Sequence, residues 1–321
     1  MPGMAGWLAS GAGWRAFATA AASGARTGMR PVQQPQQLKK LGLAEVKHIV
    51  AITSAKGGVG KSTTAVNVAV AMATRLGLRV GLLDADVHGP SLPTLMNLSG
   101  KPEAEKSGTQ TLMRPKENYR VKAMSFGFFL EGDEPVVWRG PMVNSAFDKM
   151  LFGTAWGPLD VLVVDMPPGT GDAQINLAQR IPLSGAALVS TPQDVALIDV
   201  RRGAQMFRRM RVPLLGLVEN MSAHTCSRCG HVERVFGAGG VERAARDYQL
   251  EVLGEVPLHV DIQEKSDAGT PVVAADPQGP LAAAYVGIAE RIMAALGRLE
   301  GAGGQGAGGQ GRGAGPEITV E

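Results

Sequence analysis

The stretch Ser54-Ala55-Lys56-Gly57-Gly58-Val59-Gly60-Lys61-Ser62-Thr63 constrains this chain more than any other. Before it stands the apolar run His48-Ile49-Val50-Ala51-Ile52-Thr53, which reads as a buried parallel strand. After it comes Ala65-Val66-Asn67-Val68-Ala69-Val70-Ala71-Met72, which reads as a helix. Strand, glycine loop and helix in that order are the setting of a phosphate-binding P-loop. Gly57, Gly58 and Gly60, with Val59 between them, let backbone N–H groups close round phosphate oxygens where a Cβ would clash. Lys61 is placed to reach the β- and γ-phosphates of ATP and Ser62 to ligate Mg²⁺. Thr63 completes the loop at a helix N-terminus, whose partial charge favours an anion. The loop, expected at the surface of the sheet edge, should tolerate Lys61→Ala without loss of fold. A chance turn rich in glycine and lysine would lack the flanking elements. Ala55 replaces the first glycine of the usual G-x-x-x-x-G-K-[ST], and a second lysine, Lys56, opens the loop.

Further apolar runs repeat the strand signal. They are Arg79 to Asp86, Tyr119 to Phe126, Asp160 to Asp165, Ala186 to Thr191 and Pro213 to Asn220. Helical patterns fall between and after them, at Val143–Phe152, up to Gln179, at Val195–Met210, Val241–Tyr248 and Ala282–Leu299. Alternating strands and helices argue for an α/β fold with one doubly wound, mostly parallel sheet. Residues 99–118 lack an apolar period and read as an exposed loop. No second domain is indicated, so residues 46–299 form one P-loop ATPase domain.

The two ends differ from this body. Residues 1–44 hold Arg15, Arg26, Arg30, Lys39 and Lys40 and no acid, whereas the remainder has 27 basic and 29 acidic residues. The net charge of +3 therefore belongs to the leader, and a basic nucleic-acid-binding surface is not expected on the body. Residues 1–40, rich in Ala, Gly and Ser with scattered arginine, have the composition of a mitochondrial or plastid transit peptide and linker, and a mitochondrial matrix location is the expectation once the resemblance below is added. Residues 300–321 are Gly/Gln repeats and read as a disordered tail. No stretch reads as long and apolar enough to span a bilayer, so no stable membrane insertion is expected.

Ligand chemistry in such a sheet collects at the carboxyl ends of the strands. Asp165 closes an apolar run, the arrangement that holds a Mg²⁺-bound water. Asp84 and Asp86 end the strand that follows the first helix. Gly169, in Pro167-Pro168-Gly169-Thr170-Gly171, is placed to offer a backbone N–H to the γ-phosphate. Asn220 is expected to read the adenine edge through its amide. The chain's two cysteines, Cys226 and Cys229, stand in His224-Thr225-Cys226-Ser227-Arg228-Cys229-Gly230-His231. This spacing leaves open a zinc site completed by His224 and His231, half of an iron–sulfur site, or a redox dithiol. A [4Fe–4S] cluster takes four thiolates, so that reading requires two chains, each lending C-x-x-C at a dimer seam.

The P-loop, Asp84-Ala85-Asp86-Val87-His88-Gly89-Pro90-Ser91, Val137-Trp138-Arg139-Gly140-Pro141-Met142, Asp165 to Asp172, Ser190-Thr191-Pro192-Gln193-Asp194, Glu219-Asn220-Met221-Ser222 and the late C-x-x-C carry a joint likeness. Over roughly residues 46–298 the chain resembles the Mrp/NBP family of ATP-binding iron–sulfur carriers. The K-G-G-V-G-K-S-T loop is similar to the deviant Walker A of the wider MinD/ParA/Mrp class of dimeric ATPases. The resemblance implies that Lys56 and Lys61 act catalytically, Lys56 on the nucleotide of the partner subunit. It implies that Asp86 positions the attacking water while Asp84 lies nearer the metal. It also implies a homodimer that binds a labile [4Fe–4S] cluster at Cys226 and Cys229, with weak ATP hydrolysis coupled to transfer. The leader points to a mitochondrial member, with recipient apoproteins in respiratory complex I. Ser227 stands where the family usually has proline, and His224 where it usually has an aromatic; neither removes a ligand. The rival readings are a MinD/ParA-like positioning ATPase and a zinc-stabilised ATPase without cluster cargo.

Overall fold

The structure, a computed structural model, describes residues 42–87, 89–107, 110–130, 140–226 and 228–304. The expected transit peptide, His88, residues 136–139, Ser227 and the tail beyond Gly304 lie outside those residues. β1 (Val46–Thr53) is followed by α1 (Lys61–Thr74), β2 (Val80–Asp84) and the short α2 (Leu92–Leu95). β3 (Ala104–Ser107) and β4 (Gln110–Met113) form a separate antiparallel pair. β5 (Lys116–Asn118) and β6 (Val121–Ser125) return to the main sheet. Then come α3 (Gly140–Phe152), β7 (Leu159–Asp165), α4 (Asp172–Arg180), β8 (Gly185–Ser190), α5 (Asp194–Arg209) and β9 (Leu214–Thr225). β10 (Val232–Glu233), α6 (Gly240–Asp247), β11 (Val252–Leu258), α7 (Val260–Asp267), α8 (Val272–Ala275) and α9 (Pro280–Gly304) complete the chain.

The main sheet has nine strands in the order β10-β9-β8-β1-β7-β2-β6-β5, with β11 also on β9. β11, β9, β8, β1, β7, β2 and β6 run parallel, and only β5 and β10 are antiparallel. Parallel strands covered on both faces read as continuous apolar runs rather than alternating ones. That is why Ile49–Ile52, Leu82–Leu83 and Val161–Val164 were legible and are all buried. β1 lies between β7 and β8 in the middle of the sheet. The expectation that its loop sits at the sheet edge is therefore corrected.

α1 is apolar nearly all round, and Ala65 to Ala73 are all buried. Such a helix is held by packing on every side rather than by propensity. Each fully buried valine there contributes about 1.5–3 kcal/mol relative to exposure. α9 supplies one wall, with Ala282, Tyr285, Ile288, Ala289, Ile292 and Leu296 buried at helical spacing against α1 and β11. Its residues 280–301 are long and apolar enough by composition to cross a membrane, which corrects the expectation that no stretch is. In this fold that apolar face lies in the core. The helix continues to Gly304, past the expected end at Leu299, glycine being unfavourable in a helix without being excluded from it.

Two other expectations change. Residues 99–118 are not a plain loop but hold β3, β4 and β5. These strands are three or four residues long and largely exposed, so they carry no apolar period. Asn118 fixes β5 by donating to the Met96 carbonyl at 2.8 Å. β11 escaped notice because Gly254, Glu255 and Pro257 interrupt its apolar run.

Between β8 and β11, β9 has a φ of +149° at Gly216, and a Cβ there would lie 2.4 Å from the Glu251 carbonyl oxygen. Backbone cannot yield as a side chain can. Gly216→Ala is expected to lower unfolding stability by at least about 2 kcal/mol, seen as a lower urea midpoint at unchanged slope. An unchanged midpoint would show that β9 and β11 can separate freely at this point.

Candidate functional site

The P-loop leaves the carboxyl end of β1 and enters α1 through two left-handed glycines, Gly58 at φ +78° and Gly60 at φ +81°. Gly60 is also a point of close approach, since a Cβ would stand 2.1 Å from the Asn220 amide nitrogen. Only glycine meets both demands. The Gly60 carbonyl accepts from the Thr64 N–H at 3.0 Å and the Thr64 hydroxyl at 2.9 Å, which starts the helix. The loop walls a cavity of about 240 Å³ together with Ser54, Lys61, Ser62, Thr63, Asp86 and Pro168. That volume falls below the usual range of about 300–1,000 Å³ for whole-ligand pockets and suits a phosphate chain. A larger groove of about 770 Å³ lies between α4 and α5 and holds none of the expected nucleotide or cysteine residues.

Lys61 is buried and forms an ion pair with Asp165 at the end of β7, while its Nζ also donates to the Ser62 hydroxyl at 3.0 Å. The three residues expected to meet phosphate and Mg²⁺ are thus in direct contact. Burial pushes the Asp165 carboxyl up from its ordinary range, and Lys61 pulls it back down. Asp84, at the matching end of β2, is pushed up to about 7, first by burial and then by the charge of Asp165. Its oxygens accept from the Asp86 N–H at 3.1 Å, the Leu92 N–H at 3.3 Å and the Ser125 hydroxyl at 2.9 Å. Asp84 therefore shapes the loop that presents Asp86 to the cavity, and its carboxyl stands close enough to feel the charge of Asp165. Asp86 in turn accepts from the Gly89 N–H at 3.3 Å.

Lys56 is exposed and does not line the cavity of its own chain. The Gly169 N–H donates to the Ser54 carbonyl at 2.9 Å, tying the segment after β7 to the loop mouth. A γ-phosphate contact from Gly169 requires that bond to exchange. Asn220, on β9, donates its amide to the Val59 carbonyl at 2.8 Å, leaving Oδ1 as the group able to accept from an adenine amino group. Ser125 and Gln174 escaped the sequence reading. Gln174 is buried and bonds the Thr53 hydroxyl and, at 3.2 Å, the Pro167 carbonyl, clamping β1 to the segment after β7. Ser125 ends β6 beside Asp84, and its place at a strand terminus was the available signal.

β9 runs on past Asn220 to Thr225 and turns at the cysteines into β10. The turn is closed by the Cys226 N–H on the His231 carbonyl and the Gly230 N–H on the Cys226 carbonyl, both 2.9 Å. Cys229 is exposed and Cys226 half-buried, and neither forms a disulfide. Backbone N–H groups of Arg228 and Cys229, with the Cys229 side chain, hold the Cys226 thiol below its ordinary range, favouring the thiolate that binds metal. His224 faces the Leu258 carbonyl at 3.3 Å. Among the described residues no three His, Cys, Asp or Glu side chains are grouped to hold a metal ion. The four-ligand zinc site in one chain is therefore not assembled here.

Residues 45–293 match the ParA-type family described as NUBPL iron-transfer P-loop NTPase. The chain is 50% identical over 283 residues to the Arabidopsis thaliana "Iron-sulfur protein required for NADH dehydrogenase, mitochondrial", covering 88% of this chain and 86% of the relative. It is 52% identical over 252 residues to the Mus musculus "Iron-sulfur cluster transfer protein NUBPL", 78% of each chain. The iron-sulfur cluster carrier protein of Escherichia coli K12 is 48% identical over 255 residues, 79% of this chain and 68% of the relative. Among solved structures, a nucleotide-binding protein from Archaeoglobus fulgidus in complex with ADP superposes with a TM-score of 0.64 at 35% identity, over 74% of this chain and 91% of that one. The Pyrococcus furiosus cell division ATPase MinD, at 20% identity and a TM-score of 0.55 over 77% of this chain and 98% of that one, shares the fold.

Removing Lys61 leaves the Asp165 carboxylate buried without its cation. The folded-state pKa of Asp165, already above the ordinary value near 3.9, then rises further. A carboxyl raised in the folded state binds its proton more tightly there, so stability falls as pH climbs past the unfolded value. Lys61→Ala is thus expected to lose nucleotide binding and also stability, slightly near pH 4 and increasingly toward pH 8, by up to about 3–5 kcal/mol. Urea titrations across that range check it. A deficit independent of pH would mean that Lys61 does not balance Asp165.

Proposed function

The chain belongs to the NUBPL iron-transfer family of P-loop NTPases, and from that membership we propose that it carries an iron–sulfur cluster and delivers it to recipient apoproteins in the mitochondrion. The observation that carries the reading is the two-thiol hairpin, with Cys229 exposed and Cys226 half-buried, grown from the strand whose Asn220 braces the P-loop. The cargo is a labile [4Fe–4S] cluster held by Cys226 and Cys229 of two copies in a homodimer, since one chain offers two of the four thiolates. Complex I is the destination, on the strength of the Arabidopsis relative's name. Residues 1–40 direct the chain to the matrix as a transit peptide. The MinD likeness supports the fold alone, and an ATPase positioned on membrane or DNA has no use for the hairpin.

In this reading the P-loop from Lys56 to Thr63 holds the phosphates of ATP, and Asn220 Oδ1 meets the adenine. Phosphate binding draws Lys61 from Asp165 to the phosphate oxygens. Asp165 and Ser62, with Asp84 nearby, would then hold Mg²⁺, which would neutralise phosphate charge. Gly169 exchanges Ser54 for the γ-phosphate, and Lys56 reaches the nucleotide of the second copy. Asp86 orients the attacking water, and turnover is slow.

Asp86→Asn is expected to keep ATP affinity while slowing hydrolysis by about 10²-fold or more, within the range for loss of a general base. Unchanged hydrolysis would place water orientation elsewhere. Anaerobic reconstitution of the wild type with iron and sulfide should yield about four irons per two chains. Cys226→Ala and Cys229→Ala should each lose that iron and keep ATP binding. Iron retained in either variant would remove the hairpin from the cargo site.

A further inference from the structure

Glu219 and Asn220 are consecutive on β9, so their side chains leave opposite faces of the strand. Asn220 grips the Val59 carbonyl of the P-loop. On the other face Glu219 is wholly buried, and neither of its carboxylate oxygens has a hydrogen-bond partner among the described residues. Its register partner on β11 is another acid, Glu255, so two carboxylates stand side by side. Like charges placed so repel. The cation that answers them is Arg234, with Nη1 3.9 Å from Glu219 and Nη2 3.8 Å from Glu255. Burial, then Glu242 and Glu255, pushes the Glu219 carboxyl up to about 7, and Arg234 opposes the rise. Arg234 directly follows β10, whose Val232 and Glu233 pair with Thr225 and His224. It is therefore the anchor of the return arm of the cysteine hairpin.

We propose that Arg234 is a positioning residue that ties the cysteine hairpin to the nucleotide strand through the buried carboxylate of Glu219. Neither separation is as short as the roughly 2.7–2.9 Å of a charge-assisted hydrogen bond, so the guanidinium is held between two acceptors and is bonded to neither. A small displacement of β9 decides which carboxylate it closes on. A shift of Val59 on phosphate binding reaches Asn220, then Glu219 one residue away, then Arg234 and the hairpin. The link gives the carrier reading a route by which nucleotide sets cargo retention, and for that purpose it rests on that reading.

The test uses the full chain without cluster, whose two thiols report the hairpin directly. Alkylation rates of Cys226 and Cys229 by iodoacetamide are measured with and without Mg-ATP. In the wild type the nucleotide is expected to change the rate about fivefold or more, the low end of ordinary coupling between sites. Arg234→Gln and Glu219→Gln should each bring that ratio to one at unchanged ATP affinity, and Arg234→Lys should restore part of it. If Arg234→Gln folds poorly, the double Glu219→Gln, Arg234→Gln variant removes both charges and should also give a ratio of one. A merely structural role predicts altered stability with the ratio intact, and that result overturns the proposal, as does a wild type indifferent to nucleotide. Iron content of the same proteins after reconstitution is a separate readout. A chain that binds no iron yet shows the ratio and its loss sinks the carrier reading and leaves the Arg234 link standing.

Discussion

The buried ion pair between Lys61 and Asp165 is the interaction on which the rest of the site depends. It joins the first residue of α1 to the last residue of β7, across the carboxyl ends of two adjacent central strands. A charge taken so far from water is tolerable only with its partner, and removing one member costs far more than the pair contributes. The fold keeps this pair where a phosphate chain would compete for the lysine. The same desolvation raises Asp84 and Asp165 together, and Lys61 opposes the rise at Asp165. An arrangement of this kind draws its stability from whatever positive charge enters it, which suits a magnesium nucleotide.

β9 is the second organising element. It is twelve residues long and contributes to the sheet, the bracing of the P-loop and the cysteine hairpin in succession. Gly216 lets β11 close against it, Asn220 braces the P-loop, and Cys226 begins the turn where the strand leaves the sheet. A stiff strand shared by two sites transmits displacement better than two loops would, since its hydrogen bonds to β8 and β11 resist bending.

Much of this was legible because parallel strands buried on both faces announce themselves as apolar runs. The P-loop, Asp84, Asp86, Asp165 and Asn220 all fell at the ends of such runs, where ligand chemistry gathers, and the two cysteines stood out by their spacing alone. What the sequence concealed were partnerships rather than residues. Nothing local to Gly169 shows that its N–H bonds Ser54, nor to Asp84 that it serves the loop of Asp86. Gln174, Glu219 and Arg234 act across gaps in sequence that only strand order closes. The edge strands β3, β4 and β5 and the interrupted β11 lacked the apolar continuity on which the reading relied.

In the proposed carrier, two copies of this chain complete one cluster site. Native mass spectrometry of protein loaded and sprayed without oxygen tests it most directly, because mass counts chains and metal atoms in the same ion. The expected ion holds two chains plus one four-iron, four-sulfide cluster, and it falls apart to bare monomers once the cluster is chelated. A single chain carrying one zinc ion through the Cys226–Cys229 hairpin, with no iron-bearing dimer at any loading, would contradict it.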